Sequence, residues 1–336
     1  MRRQALFAVG FALSVSLLGP GPTAIADPAA TAPAAPQGSG AAHVDKVVNL
    51  TPTRSAVFIN SAAMNRVVQV QVLHPASGGP RPSLYMLDGV SAGAESDFRE
   101  STWTQKTDVV GFFADKNVNI VLPIGGTASF YTDWRLPDPT LGVNKWETFL
   151  ANELPPIIDA AFDGNGVNAV AGVSMGATGA ANLATRHPRL YRGLAAYSGC
   201  LDNSQPGSRD AVRGTIAFKG GDPVNMWGPE TDPAWMAHDP TLNAEALRGK
   251  QIYISTGNGL PGPHEGAAGG DLASTIAVGG PLEAAADVCT RTFEQRLDAL
   301  GIPATFVYHD YGTHSWPYWQ DELRTSWPVL KVALGV

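Results

Sequence analysis

The chain has 336 residues, of which 30 are acidic and 23 are Lys or Arg, and its formal net charge is −7. A net negative charge argues against binding to nucleic acid and against a basic surface that docks on membranes. Charged residues make up only 16% of the chain, so we expect much of the surface to be apolar or weakly polar. Such a surface is compatible with contact with lipids.

The first residues have the pattern of an export signal. Arg2 and Arg3 are followed by an apolar stretch over residues 5–18 and then by an A-x-A cleavage site that ends at Ala26. The apolar stretch is short for a bilayer span, which needs about 20 residues. We therefore predict a signal peptide over residues 1–26 and a secreted or cell-envelope protein. An uncleaved anchor is the alternative.

The chain changes composition twice after the predicted cleavage site. Residues 27–42 are mostly Ala, Pro, Gly and Thr, which bury little surface, and we predict a disordered spacer there. Residues 43–336 are long enough for one large domain with a full core, and no linker-like stretch interrupts them. We predict a single catalytic domain over residues 43–336.

Predicted strands and helices alternate along this domain. The strands, identified by buried apolar runs or by alternation of apolar and polar residues, cover residues 66–73, 83–87, 118–124, 168–171, 193–198, 251–255 and 304–308. The helices cover residues 146–161, 177–186, 282–300 and 317–334, the last as one helix or two. This alternation predicts an α/β fold with a mainly parallel central sheet flanked by helices. Active sites of such folds lie at the carboxyl ends of the strands.

A G-x-S-x-G pentapeptide at residues 172–176 joins a predicted strand to a predicted helix. This context is that of the nucleophile elbow of an α/β-hydrolase, in which a sharp turn exposes a serine hydroxyl, here that of Ser174. Gly172 and Gly176 carry no side chain because the residues on either side of the turn nearly touch. The backbone N–H of Met175 then points to where an oxyanion would form. The alternative is a chance match, because the chain has 37 glycines.

A nucleophilic serine needs a base, and His314 is the best placed of the seven histidines. It lies between the last predicted strand and the terminal helix, where the base of an α/β-hydrolase belongs, and the acid must come between Ser174 and His314 in the chain. The candidate carboxylates in this interval are Glu265, Asp271, Glu283 and Asp287. Glu283 is at a predicted helix start, where a carboxylate also stabilises the helix dipole. The pattern alone does not choose Glu283 over Asp271.

The chain has two cysteines, Cys200 and Cys289. An even pair in an exported protein favours a disulfide, because the extracytoplasmic compartment is oxidising. We predict that the two residues are bonded to each other. Two separate buried thiols are the alternative.

The chain resembles the antigen 85 mycolyltransferases, secreted acyltransferases of mycolic-acid-bearing actinobacteria. Matching strings run in the same order from about residue 84 to residue 323: LDG at 87–89, SFYTDW at 129–134, KWETFL at 145–150, NMWGP at 225–229, DPAW at 232–235, GNG at 257–259 and GTHSW at 312–316. The resemblance implies that Ser174 is the nucleophile, that His314 is the base and that Glu283 orients the base. It also implies that the protein uses no metal and no organic cofactor.

The resemblance further implies the residues around these three. The backbone N–H groups of Val90 and Met175 would form the oxyanion hole, and Asp88 and Trp316 would lie in the sugar-binding part of the pocket. One position departs from the family. An arginine that helps to bind trehalose commonly follows the residue matching Val90, and this chain has Ser91 there.

Together these features predict a secreted serine acyltransferase that moves a long-chain, mycolyl-type acyl group between trehalose-type esters and an alcohol. The predicted partners are lipid ester and sugar substrates, with no nucleic acid and with association with the cell envelope. One alternative is a secreted carboxylesterase that uses water as acceptor, since the three reacting residues would be the same. Another is an envelope binding protein that catalyses nothing.

Overall fold

The computed structural model describes residues 40–267 and 272–336. The predicted signal peptide, most of the predicted spacer and the candidate acid Asp271 lie outside the described residues. None of the described helices has the length and apolar character that crossing a bilayer requires.

A nine-stranded sheet with the order β1-β2-β3-β5-β4-β6-β7-β8-β9 forms the centre of the fold. Its strands are β1 His43–Thr51, β2 Arg54–Ser61, β3 Arg66–Leu73, β4 Arg81–Leu87, β5 Asn119–Pro123, β6 Gly164–Val173, β7 Tyr191–Tyr197, β8 Gln251–Thr256 and β9 Thr305–Tyr308. All pairings from β5 to β9 along the sheet are parallel, and those among β1, β2, β3 and β5 are antiparallel. The prediction of a mainly parallel sheet is confirmed.

The hairpin of β1 and β2 was not predicted from the sequence. β1 is exposed along almost its whole length, so its sequence needs no alternation of apolar and polar residues to form a strand. β2 contains a short apolar run over residues 56–59, in which Val57 and Ile59 are fully buried. That run is a sequence signal for β2, and β1 has no comparable signal.

The helices cover both faces of the sheet. They are α1 Thr102–Lys106, α2 Val109–Phe113, α3 Trp146–Thr148, α4 Leu154–Ala161, α5 Met175–Arg186, α6 Pro206–Phe218, α7 Val224–Trp227, α8 Ala234–Ala237, α9 Pro263–Ala267, α10 Leu272–Ser274, α11 Gly280–Leu300 and α12 Trp316–Leu334. A π-helical turn, Phe149–Glu153, joins α3 to α4, so the predicted helix over residues 146–161 is continuous. The last helix is one helix, although it contains Pro328.

Each face of the sheet has its own apolar core. Leu84 and Tyr85 are neighbours in β4 and point to opposite faces, as successive residues of a strand must. The core on the Tyr85 side contains side chains of α3, α4, α5 and α11, and the core on the Leu84 side contains those of α1, α2 and α12. Because both faces are covered, β4 is buried at every position.

Candidate active site

Ser174 occupies a strained turn between β6 and α5. Its backbone has φ 54° and ψ −123°, a conformation that is costly for a residue with a side chain and that is found at functional sites. A Cβ on Gly172 would lie 2.2 Å from the carbonyl oxygen of Gly176, and a Cβ on Gly176 would lie 2.4 Å from the carbonyl oxygen of Asp88. The turn can therefore form only with glycine at both positions.

The turn brings the hydroxyl of Ser174 to the imidazole of His314. The Oγ of Ser174 lies 2.7 Å from Nε2 of His314, and Nδ1 of the same ring lies 2.7 Å from Oε2 of Glu283. The carboxylate accepts a hydrogen bond from Nδ1–H, so the neutral ring has its lone pair at Nε2, facing the serine hydroxyl. This arrangement allows His314 to take the serine proton.

Glu283 is only 2% exposed, and donors surround its carboxylate. Besides His314, Oε1 accepts hydrogen bonds from Ser198 Oγ at 2.7 Å, Gly257 N at 2.7 Å and Thr256 Oγ1 at 3.2 Å. These donors offset the cost of burying a charge and hold the carboxylate in one orientation. They come from the carboxyl ends of β7 and β8, so the sheet itself orients Glu283.

The other candidate acids that the structure describes have different partners. Glu265 accepts hydrogen bonds from Gly262 N, Thr313 Oγ1 and Tyr318, and so holds the loop beside His314 without contacting its ring. Asp287 pairs with Arg291 one turn further along α11.

The two backbone N–H groups assigned to the oxyanion hole lie at the same end of the sheet. Met175 is the first residue of α5, and Val90 follows β4. Gly89 adjoins the nucleophile, since a Cβ placed on it would lie 3.8 Å from Cβ of Ser174. The Val90 carbonyl accepts from the N–H of Ala128, and within the described residues neither amide hydrogen is engaged. Both amides are therefore available to an oxyanion.

Asp88 is fully buried behind this loop. Its carboxylate accepts hydrogen bonds from Ser101 Oγ at 2.8 Å, Thr102 N at 2.9 Å and Trp103 N at 3.3 Å, so it fixes the start of α1. Burial raises the pKa of Asp88 to about 6, although these hydrogen bonds act in the opposite direction. The carboxylate has no exposed surface in this structure, so its contact with a sugar stays a prediction.

Trp316 begins α12, two positions beyond His314, and is partly exposed. Its ring packs edge-on against Trp103 and Trp319, with centroid distances of 5.2 and 5.1 Å. Its assignment to sugar binding also stays a prediction.

Two residues next to the site, Ser198 and Trp319, were not predicted from the sequence. Ser198 directly follows β7 with φ 53°, donates to Glu283 and accepts a hydrogen bond from Trp319 Nε1 at 2.9 Å. Trp319 packs edge-on against the ring of His314, with centroids 5.0 Å apart. The position of Ser198 at the carboxyl end of a core strand was its one sequence signal.

The predicted disulfide is present between Cys200 and Cys289, so that prediction is confirmed. It joins the segment after β7 to α11, the helix that carries Glu283. Within the described residues, no group of His, Cys, Asp and Glu side chains is arranged to hold a metal ion.

A serine, a histidine and a buried glutamate, brought together at the carboxyl ends of parallel strands, define the serine esterase class of the α/β-hydrolase fold. The "Putative esterase" family model matches residues 61–329. The chain belongs to this family and, within it, to the antigen 85 acyltransferases, because it shares a third of its residues with them over most of both chains.

Two of these relatives show the extent of the match. The chain is 34% identical to the diacylglycerol acyltransferase/mycolyltransferase Ag85A of Mycobacterium tuberculosis, over 82% of this chain and 80% of that one. It is also 34% identical to Ag85B of Mycolicibacterium smegmatis, over 83% and 85%.

Solved structures share this fold. The crystal structure of Mycobacterium tuberculosis MPT51 matches with a TM-score of 0.70 and 26% identity, covering 86% of this chain and 99% of that one. The serine hydrolase FphF of Staphylococcus aureus matches with a TM-score of 0.62 at 15% identity, over 82% and 98% of the two chains, and shows the shared fold alone.

Proposed function

We propose that this protein is a secreted serine acyltransferase that moves a mycolyl-type acyl group from a trehalose-type ester to an alcohol through an acyl-serine intermediate. The observation that carries the proposal is the 2.7 Å contact on each side of the His314 ring, to Ser174 and to Glu283. The names of the antigen 85 relatives, as diacylglycerol acyltransferases and mycolyltransferases, support the substrate class.

In the first step, Ser174 attacks the carbonyl carbon of the donor ester while His314 Nε2 takes the proton from Oγ. The resulting imidazolium lies against the carboxylate of Glu283, which stabilises its charge. The N–H groups of Val90 and Met175 bind the tetrahedral oxyanion, and each donor of this kind contributes about 10²–10³ in rate. His314 then protonates the leaving sugar, and the acyl group stays on Ser174.

In the second step, an acceptor alcohol takes the place of the leaving sugar. His314 removes the proton of the alcohol as it attacks the acyl-serine, and the collapse of the second oxyanion returns the proton to Ser174. Water would complete the same step as hydrolysis. Transfer therefore requires that the closed site admit a sugar hydroxyl and exclude water.

Exposed apolar side chains near the base suit a hydrocarbon chain. The carbonyl of Gly279 accepts a hydrogen bond from the N–H of His314, so the segment before α11 adjoins the site. The exposed apolar residues on this segment and at the start of α11 are Leu272, Ile276, Val278 and Leu282. Each methylene buried there contributes about 0.8 kcal/mol, so a long acyl chain can bind without any charged contact.

A secreted carboxylesterase is the second candidate, and Ser91 is the observation that favours it. The arginine that helps the family to bind trehalose is replaced here by a residue with a short neutral side chain. A site without that arginine holds trehalose less firmly and leaves more room for water. A binding protein without catalysis fits less well, because such a protein has no need for the strained backbone of Ser174.

The two candidates differ in their product. We expect the protein to convert labelled trehalose monomycolate to trehalose dimycolate, and the change Ser174→Ala to lower the rate by up to about 10⁶. Ser77→Ala, at an exposed serine away from the site, serves as the control. Free mycolic acid without dimycolate would favour the esterase, and full activity in Ser174→Ala would exclude the mechanism.

The export signal and the domain boundary complete the proposal. Removal of residues 1–26 would release a protein whose catalytic domain, residues 43–336, follows a short spacer. Its substrates, lipid esters of sugars, would then meet it in the cell envelope.

A further inference from the structure

The disulfide between Cys200 and Cys289 joins the two elements that meet at Glu283. Cys200 follows Ser198 with only Gly199 between them, and Ser198 Oγ donates to Glu283 at 2.7 Å. Cys289 lies further along α11, the helix whose first turn carries Glu283. The bond spans 89 residues of sequence. It therefore ties the acid-bearing helix to a strand end that orients the acid.

The half of α11 that carries Glu283 is held weakly by apolar packing. The large buried apolar side chains of this helix, Phe293 and Leu297, lie in its second half. In the first half, Leu282 and Val288 are 52% and 65% exposed. The buried side chains of this half are those of Ala286 and Glu283, so it is held by small-residue packing, by the hydrogen bonds of Glu283 and by the disulfide.

We propose that the Cys200–Cys289 disulfide is a positioning link that keeps Glu283 against His314, so that the rate of acyl transfer depends on this bond. The inference rests on the serine mechanism proposed above. A misplacement of about 1 Å can cost 10²-fold in rate, so a small shift of α11 is sufficient.

Both cysteines are partly exposed, and a dithiol can reach the bond. In the exchange, one thiolate of the dithiol attacks a protein sulfur, and its second thiolate then closes a disulfide within the reductant. Two electrons and two protons pass to Cys200 and Cys289, which become free thiols. Oxidation by a small disulfide reverses the exchange, so the effect on activity is reversible.

The direct test is the double change Cys200→Ser and Cys289→Ser, assayed with p-nitrophenyl butyrate. This ester reports the reaction of Ser174 whatever the natural acceptor is. We expect kcat to fall about 10- to 100-fold with KM changed less than about 2-fold. Val288→Ser, next to Cys289 on the exposed side of α11, is the matched control and keeps the wild-type kcat.

A second measurement decides the question even if the double variant does not fold. Dithiothreitol added to the folded wild-type protein should lower kcat by the same factor, and reoxidation should restore it. Circular dichroism before and after reduction verifies that the fold persists. Unchanged kcat in fully reduced, folded protein would overturn the proposal.

A double-mutant cycle separates positioning from general stability. If the disulfide acts through Glu283, the triple variant with Glu283→Gln loses about as much activity as Glu283→Gln alone. If the two losses multiply, the disulfide acts elsewhere and the proposal is wrong. The proposed function fails by a different result, the survival of activity in Ser174→Ala, so the two failures are distinguishable.

Discussion

Two buried carboxylates at the ends of the strands show how partners decide the role of a residue. Glu283 has the imidazole of His314 against one oxygen and neutral donors against the other. Asp88 has only neutral donors, at the start of α1, and burial raises its pKa to about 6. Its burial therefore favours the protonated form, and its ionised form is a cost to folding.

Asp88 makes stability depend on pH in a predictable direction. A carboxyl group whose pKa rises on folding binds its proton more tightly in the folded chain, so its contribution favours folding below about pH 4 and is lost as the pH rises through about 6. Relative to Asp88→Asn, we expect the wild type to lose about 3 kcal/mol of unfolding free energy between about pH 4 and about pH 7. Urea denaturation of both proteins across this interval measures the difference.

Asp97→Asn, at an exposed carboxylate in the loop before α1, controls for the removal of a charge alone. A constant difference between wild type and Asp88→Asn over the whole interval would contradict the raised pKa.

At the scale of elements, the turn between β6 and α5 is defined by backbone contacts rather than by side-chain packing. The carbonyl oxygens of Gly176 and Asp88 occupy the space where side chains on Gly172 and Gly176 would lie. Neighbouring backbone cannot move aside as a flexible side chain can. The elbow is therefore the least tolerant element of the site to added atoms.

A pair of glycine substitutions tests this intolerance. We expect Gly172→Ala to abolish esterase activity and to lower the unfolding free energy by several kcal/mol, because overpacking against fixed backbone is destabilising. Gly214→Ala is the matched control: it lies on the exposed side of α6, and a Cβ there meets nothing within 4 Å. That change should stabilise the protein by up to about 1 kcal/mol. An active, stable Gly172→Ala protein would show that the elbow can relax.

At the scale of the whole molecule, one sheet separates two helical layers. Phe293 of α11 and Leu330 of α12 are both fully buried, in the cores on opposite faces. In each core, helix side chains pack against side chains of the same strands, which point to opposite faces of the sheet. Residues from both helical layers form the site, since Glu283 lies in α11 and His314 lies just before α12.

This arrangement predicts how core substitutions combine. Phe293→Ala and Leu330→Ala should each lower the unfolding free energy by about 2–5 kcal/mol, since each leaves a cavity. Because the sheet separates them, the double variant should show the sum within about 0.5 kcal/mol, in one cooperative transition. Val332→Ala, at an exposed position of α12, is the control. A coupling larger than about 1 kcal/mol would show that the two cores are not independent.

The sequence predicted those parts of the fold that depend on short stretches of chain. The elbow at Ser174 was recognisable because a glycine-flanked serine between a strand and a helix is a local pattern. The strands with apolar runs were found for the same reason, and the exposed strand β1 was not, because an edge strand needs no buried face. The pairing of Cys200 with Cys289 followed from there being only two cysteines and an export signal.

The residue pattern by itself did not decide which carboxylate meets the base. It left four candidates between Ser174 and His314, the family resemblance implied Glu283, and only the tertiary structure shows the contact. The packing of α11 against the ends of β7 and β8 brings Glu283 to His314 and leaves Glu265 with Thr313 and Tyr318. Contacts between residues far apart in the chain are set by how whole elements pack, and no short stretch of sequence contains that information.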